Sequence, residues 1–199
     1  MAMERKRGSL QGVPKPMQAT GLRGDGASAA DKRVFENICG DFGLSIGRDG
    51  TWFYRGSPIG RKPLVKLFAS VLRRDVDGGY WLVTPAEKGR IEVEDVPFVA
   101  VEASIIGVGR EQTVTLRTNL DEIVTVDREH PLRVADDPAT GAPAPYVLVR
   151  DGLEARLARP VFYELVERGE ERHDGDMRVL GIWSKGEFFP LGALDGSEA

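Results

Sequence analysis

A short basic loop, Gly60-Arg61-Lys62-Pro63, carries the clearest anion-binding chemistry in this sequence. Gly60 would let the backbone approach a ligand closely, and the side chains of Arg61 and Lys62 would donate charge-assisted hydrogen bonds. Pro63 suits the first turn of a helix, whose unbonded N–H groups would point towards the same ligand. Such a site would hold a phosphate or a carboxylate. The competing interpretation is a solvated basic loop, because arginine and lysine are common on protein surfaces.

His130 is the second residue whose chemistry could matter. It precedes a predicted strand, and Asp127 and Glu129 lie close to it in the sequence. One hypothesis is therefore proton transfer shared with a carboxylate. The alternative is a histidine that only completes a turn or satisfies a carboxylate.

Cofactor and metal motifs are not recognisable. The segment Gly107–Gln112 begins G-x-G but lacks the third glycine, and it lies between two predicted strands. It therefore predicts a turn and not a dinucleotide site. With one cysteine and two histidines in the chain, a Cys/His zinc site is excluded. No cofactor and no metal are predicted.

The basic loop leads into a predicted helix. Apolar residues follow it at i, i+3, i+4, i+7 and i+8, which is the spacing of one helix face: Leu64, Leu67, Phe68, Val71 and Leu72. The last turn of this helix would carry Arg73 and Arg74, where cations offset the helix dipole. Two further helices are predicted at Asp31–Cys39 and Pro160–Arg168.

Strand patterns dominate the rest of the chain. Two-residue turns ending in glycine predict hairpins at Asp49-Gly50, Asp151-Gly152 and Lys185-Gly186. The middle of the chain, from Pro97 to Val134, resembles an antiparallel meander, and Ala135–Pro145 reads as an exposed loop.

Two segments of the chain also resemble each other. A shift of 97 positions places Pro63 on Pro160 and Asp77-Gly78 on Asp174-Gly175. The order of hairpin, proline-started helix, Asp-Gly turn and hairpin is the same both times, which favours a structural repeat. The charges invert, since the first copy is basic and the second acidic. The two halves could face each other, could meet different partners, or could simply be solvated.

Global composition limits the partners. The chain has 199 residues and a formal net charge of −4, so no overall charge draws it to nucleic acid or an anionic membrane. No apolar run reaches the roughly 18 residues that a membrane helix needs. Cys39 is the only cysteine, which is typical of a cytoplasmic protein. Nucleic acid and membrane are not expected as partners, and the sequence does not predict an oligomeric state.

Four blocks of the sequence together resemble one bacterial family. They are DGTWFYRGSPIGRKPLVKLFASVLRRD, YWLVTPAEKGRIEVEDVPFVAVE, RTNLDEIVTVDREHPLRV and GIWSKGEFFPLG. The chain resembles the uncharacterised family of domain of unknown function (DUF) 1285 over nearly everything after about Ala30. The resemblance implies a two-domain α+β protein with repeated motifs and a suggested role in signal transduction. It supplies no catalytic residues.

The predicted fold is therefore α+β. It consists of two small subdomains with related hairpin–helix–hairpin repeats, largely antiparallel β-structure and about three short helices. The predicted boundaries are a disordered basic tail at 1–28, an N-terminal α+β subdomain with the first repeat at 29–95, and a C-terminal β-rich subdomain at 96–199. The last of these would hold the meander and the second repeat.

The predicted function is a non-catalytic regulatory module that binds a small anionic ligand or a signalling protein in a groove between the repeats. The alternative is a small enzyme that uses His130 and a carboxylate in an unknown reaction. The residues expected to contact the ligand are Arg61, Lys62, Arg73, Arg74, Asn119, His130 and Arg133.

Overall fold

The computed structural model describes residues 39–137, 140–175 and 177–194. Of the described residues, 53% lie in strands and 14% in helices. The protein is thus mostly β, and the prediction of an α+β fold with about three short helices is wrong. Two α-helices occur in the described ranges. The predicted tail at 1–28 and the predicted helix at Asp31–Cys39 lie outside them, except that Cys39 begins the first strand.

The first sheet has six strands, in the order β3-β2-β1-β6-β5-β4. All neighbours are antiparallel except β1 and β6, which run parallel. Helix α1 links β3 to β4, which are the two edges of this sheet, so the helix must cross it. The elements are β1 (Cys39–Ile46), β2 (Trp52–Tyr54), β3 (Ser57–Pro58), α1 (Lys62–Ser70), β4 (Leu72–Arg74), β5 (Tyr80–Val83) and β6 (Lys88–Val93).

Helix α1 ends at Ser70, four residues before Arg74, which the sequence placed in its last turn. Leu72 pairs with Leu82 of β5 and is fully buried, while Arg73 and Arg74 lie on β4 and not in a helix turn. Two adjacent apolar residues, Val71 and Leu72, are as compatible with a strand as with a helix face. The edge of β5 supplies backbone hydrogen-bond partners for β4, and the sequence pattern cannot show this. This is one reason why the protein contains more strand and less helix than the sequence predicts.

The second sheet also has six strands, in the order β10-β11-β12-β7-β8-β9. Its neighbours are antiparallel except β12 and β7, which run parallel. The predicted loop Ala135–Pro145 is shorter than expected, because strand pairing continues at both of its ends. The elements are β7 (Phe98–Ile106), β8 (Thr113–Thr118), β9 (Ile123–Thr125), β10 (Leu132–Asp136), β11 (Pro143–Arg150) and β12 (Leu153–Leu157), with a 3-10 turn at Gly109–Glu111.

A third, three-stranded antiparallel sheet follows the second helix. The elements are α2 (Arg159–Glu167), β13 (Glu170–Asp174), β14 (Met177–Ser184) and β15 (Glu187–Ala193). Each helix is therefore preceded by a hairpin and followed by a three-stranded meander. The pairing differs, however: the first meander joins its hairpin through β6 and β1, whereas the second meander forms a sheet of its own.

One hydrophobic core runs through all three sheets. Trp52 and Leu72 enter it from the first sheet, Phe98 and Leu116 from the second, and Ile182 from the third. In β8, alternate residues are buried, as expected for a strand with one face on the core. The three sheets are therefore packed around one continuous core.

Candidate functional site

A cleft of about 750 Å³ lies between helix α1 and the first sheet. Most of its wall is apolar: Phe42, Leu44, Ile59, Leu64, Phe68, Val71 and Leu82. Its polar lining consists of Tyr54, Ser57, Arg61, Thr84 and Glu87. The volume falls within the range of roughly 300–1,000 Å³ that small-molecule sites occupy, and such sites combine apolar walls with a few polar groups.

Helix α1 shapes this cleft because its apolar residues are divided between two depths. Val65 and Ala69 are buried in the core, while Leu64 and Phe68 are half-buried and line the cleft. Trp52 stacks on Phe68 with ring centroids 6.1 Å apart. Trp52 is 1% exposed, and its Nε1 has no hydrogen-bond partner among the described residues.

Phe42 can line the cleft only because Gly89 lies beneath its ring. A Cβ atom at position 89 would come within 2.2 Å of that ring. Gly89 sits in β6 beside β1, so the missing side chain leaves room for an aromatic ring on the neighbouring strand.

The predicted basic loop is divided by the structure. Arg61 immediately precedes α1, is exposed and lines the cleft. Lys62 turns away from it and forms an ion pair with Asp121 of the β8–β9 turn at 2.8 Å. The N–H groups of Leu64 and Val65 already donate to the carbonyl oxygen of Arg61, at 2.9 and 3.2 Å. Since Pro63 has no N–H, the helix start adds little to the binding of an anion beside Arg61.

Asp121 joins helix α1 to the second sheet. Lys62 and Lys66 contact its two carboxylate oxygens at 2.8 and 2.7 Å. The pKa of Asp121 lies well below its ordinary value, first because of the hydrogen bond from Lys62 and then because of that from Lys66. The carboxylate is 39% exposed, so water screens these ion pairs.

We expect this contact to make the protein acid-sensitive. A lowered folded-state pKa stabilises the fold above the unfolded value of 3.8 and loses that stabilisation as the pH falls through the folded value. The Asp121→Asn variant should melt at a lower temperature than wild type at pH 7, and the difference should shrink below pH about 4. Asparagine tolerates the positive φ of 64° at this position, so the change isolates the charge. Asp77→Asn, at an exposed position, is the control. A difference in melting temperature between Asp121→Asn and wild type that stays the same at every pH would contradict the assignment.

Two other predicted arginines meet at one carboxylate. Arg133 contacts Glu154 through both ends of its guanidinium group, at 2.6 and 2.7 Å, and Arg74 lies 3.9 Å from the same carboxylate. Arg133 also covers the ring of Tyr146 at 4.4 Å. Because Arg74 belongs to the first sheet and the other residues to the second, this cluster joins the two sheets.

A second ion-pair cluster continues the same contact. Asp137 accepts hydrogen bonds from Arg48 and Arg156, at 2.7 and 2.8 Å, and Arg156 also contacts Asp95 at 2.9 Å. The hydrogen bond to Asp137 is the main reason that the pKa of Arg48 is raised. Burial is the main reason that the pKa of Tyr146, which donates to Asp95, is raised as well.

The charge complementarity between the halves therefore involves different acids from those that the sequence suggests. Arg48, Lys62 and Arg74 of the first half pair with acids of the second sheet. In none of these pairs is the partner an acid that follows Pro160. Only the folded chain shows which acidic segment lies opposite the basic one.

The remaining predicted residues mainly hold backbone. Asn119 accepts from the N–H of Val99 at 3.1 Å and donates to the carbonyl oxygen of Gly50 at 3.3 Å. Arg73 donates to the carbonyl oxygens of Ser70 and Leu72.

His130 is half-buried, and its Nδ1 lies 3.1 Å from the carbonyl oxygen of Leu148. The nearby Asp127 carboxylate accepts the backbone N–H groups of Glu129 and His130. This ring contact is to a backbone oxygen, and catalysis by His130 stays a hypothesis from the sequence.

Sequence reasoning missed the apolar wall of the cleft and the acids that organise the interface. The Leu64–Phe68 spacing is visible in the sequence but predicts core packing equally well. Asp121 and Asp137 carry no local motif.

Within the described residues, no group of three or more His, Cys, Asp or Glu side chains could hold a metal ion. Neither helix of the described ranges is long and apolar enough to cross a membrane.

Two family models match adjacent parts of the chain. Residues 36–96 match "Domain of unknown function (DUF1285), N-terminal domain", and residues 97–191 match "Protein of unknown function (DUF1285), C-terminal domain". None of the curated proteins matches the chain.

Two solved structures are similar to the chain. A DUF1285 family protein from Silicibacter pomeroyi DSS-3 is 44% identical, with a TM-score of 0.73, and the match covers 87% of this chain and 91% of that one. A DUF1285 family protein from Shewanella baltica OS155 is 28% identical, with a TM-score of 0.51, over 63% and 91% of the two chains.

Proposed function

This chain belongs to the DUF1285 family, and because the family descriptions name no activity, we propose its function from its own geometry. The protein is a non-catalytic binding module, and its ligand is a small amphiphilic anion. The apolar part of the ligand lies in the cleft beside α1, and its carboxylate or phosphate contacts Arg61. The proposed compartment is the cytoplasm, in keeping with the single cysteine of the sequence.

The observation that carries the proposal is the combination of an apolar cleft with one exposed arginine. Arg61 lines the cleft and has no carboxylate partner among the described residues. Many other basic side chains of this part of the chain are already paired, as Arg48, Lys62, Lys66 and Arg74 illustrate. Arg61 is therefore available for a ligand anion, and a guanidinium group matches the geometry of a carboxylate or phosphate.

Ligand binding on α1 also offers a route to regulation. One side of the helix lines the cleft, while Lys62 and Lys66 on the same helix hold Asp121 of the second sheet. A ligand that shifts α1 would change this contact, so occupancy of the cleft could be read at the junction of the two sheets. Such a coupling fits a role in signal transduction.

The test is a titration with decanoate and decyl phosphate, monitored by calorimetry and thermal shift. We expect both to bind and to raise the melting temperature. The Arg61→Gln variant should bind either anion about tenfold more weakly, since a hydrogen-bonded charge is lost. The Glu87→Gln variant should bind more tightly, because a like charge on the cleft wall is removed.

The matched control is Arg159→Gln, which removes an exposed arginine at the start of α2. It should leave both affinities unchanged. The uncharged decanol should bind wild type and Arg61→Gln equally. Equal weakening by Arg61→Gln and Arg159→Gln, or no binding of either anion below a Kd of about 1 mM, would overturn the proposal.

A further inference from the structure

The cleft beside α1 carries a second charged residue, and its sign is opposite to that of Arg61. Glu87 lines the same cleft and is exposed. Neither Arg61 nor Glu87 forms an ion pair among the described residues. Within this part of the chain, a free cation and a free anion therefore border one apolar cavity, and each can bind a group of the opposite charge.

The turn between β5 and β6 fixes the backbone of Glu87. The N–H of Thr84 donates to the carbonyl oxygen of Glu87 at 2.9 Å, and the N–H of Glu87 donates to the hydroxyl oxygen of Thr84 at 3.0 Å. The Thr84 hydroxyl also donates to the same carbonyl oxygen at 3.1 Å. These bonds use the backbone of Glu87 and leave its carboxylate available for a ligand.

Lys88, the cation that follows Glu87 in the chain, points away from the cleft. Successive side chains of a strand lie on opposite faces. Gly89 lies beneath the Phe42 ring on the cleft side of β6, so Lys88 must face the other side. There its Nζ lies 4.3 Å from the centre of the Trp81 ring. Lys88 therefore does not occupy the Glu87 carboxylate.

The two charges lie at opposite ends of the cleft. Arg61 follows the edge strand β3, and Glu87 precedes β6, with β2 and β1 between these strands. Three strand spacings amount to about 14 Å. Helix α1 gives a similar distance, because ten residues of helix, from Arg61 to Val71, rise about 15 Å. The carbonyl oxygen of Val71 accepts the N–H of Val83 at 2.9 Å, and Val83 leads into the turn that carries Glu87.

The wall between the two charges is apolar. It is formed by side chains of β1 and α1, namely Phe42, Leu44, Leu64 and Phe68. A hydrocarbon chain is favoured along this wall, because burying methylene groups removes apolar surface from water. A peptide backbone is disfavoured there, because its N–H and C=O groups would lose their hydrogen bonds to water.

We propose that the cleft selects a long zwitterion, with an anionic group at one end, a protonated amine at the other and a hydrocarbon chain between them. This inference rests on the proposed function and narrows the ligand to one class of amphiphilic anion. The anionic group contacts Arg61, and the amine contacts Glu87. Because both side chains are several bonds long, a ligand shorter than the backbone separation can reach both charges.

The experiment is a calorimetric titration of the full chain at pH 7 with decanoate and with 10-aminodecanoate, which differ only in the terminal amine. We expect Glu87→Gln to bind 10-aminodecanoate about fivefold more weakly than wild type, the upper value for an exposed ion pair. The same variant should bind decanoate more tightly, because a like charge is removed. Opposite effects of one substitution on two ligands cannot arise from a loss of folding.

The matched controls are one ligand and one variant. The isomer 2-aminodecanoate has the same charges, but its amine lies beside the carboxylate and cannot reach Glu87, so Glu87→Gln should leave its affinity unchanged. Glu164→Gln removes an exposed acid of α2 that does not line the cleft, and it should change no affinity.

Two results would overturn the inference, and they differ in what they mean for the proposed function. If Glu87→Gln does not weaken 10-aminodecanoate, or weakens 2-aminodecanoate equally, the zwitterion is excluded, while binding of decanoate that depends on Arg61 would still support the proposed function. If neither decanoate nor 10-aminodecanoate binds below a Kd of about 1 mM, both are overturned.

Discussion

Replacing Asp137 by asparagine is expected to lower the free energy of unfolding by about 3 kcal/mol. The carboxylate is 3% exposed and lies between the guanidinium groups of Arg48 and Arg156. Without its charge, two cations face each other beside a buried amide. Breaking a buried ion pair costs about 3–5 kcal/mol, and the lower value applies because Arg48 is 39% exposed and water can screen it.

The measurement is chemical denaturation at pH 7, with Asp136→Asn as the matched control. Asp136 is the neighbouring residue and is exposed, so its replacement should change the free energy of unfolding by less than about 0.5 kcal/mol. The result would also test the junction between the sheets, since Arg48 follows β1 and Arg156 lies on β12. A similar, small effect of both variants would show that Asp137 does not hold the two sheets together.

Replacing Ser184 by alanine should cost about 2–4 kcal/mol, although it removes only one oxygen atom. The Ser184 hydroxyl accepts the N–H of Val114 at 3.0 Å and donates to the carbonyl oxygen of Val126 at 2.6 Å. All three residues are fully buried. Without the hydroxyl, a backbone donor and a backbone acceptor of the second sheet lose their partner in a site closed to water.

Denaturation curves and amide hydrogen exchange check this expectation together. The amide of Val114 should exchange faster in Ser184→Ala than the destabilisation of the whole protein explains, because its acceptor is gone. Ser104→Ala, an exposed position on β7, is the control and should be within about 0.5 kcal/mol of wild type. Unchanged stability with an unchanged Val114 amide would rule out the bridging role of Ser184.

Both variants test contacts between two sheets, made by residues that lie far apart in the sequence. Ser184 of β14 links the third sheet to the second, and Asp137 links the second to the first. The cleft beside α1 depends on these junctions indirectly, because a helix can present a site only when its support is fixed. Loss of binding in a destabilised variant must therefore be separated from loss of the fold.

The sequence by itself determined the features that depend on local backbone geometry. The turns Asp151-Gly152 and Lys185-Gly186 were predicted from their residues, and all four residues have positive φ, as a type I′ turn requires. The two proline-started helices begin within one residue of the predicted positions. The membership of the DUF1285 family was also readable from the sequence blocks. A turn or a helix start is decided by a few neighbouring residues, so the sequence contains the whole cause.

The tertiary structure alone decided which distant segments meet. It ended α1 at Ser70 and made Leu72–Arg74 a strand, because β5 offered an edge at that point. It paired β1 with β6 and β12 with β7 in parallel. It also directed the side chain of Lys62 to Asp121, away from the cleft that Arg61 lines. Periodicity reports which face of a segment is apolar but not which partner covers it. The cleft beside α1 and the ion pairs between the sheets both follow from that choice of partner, which only the packed chain makes.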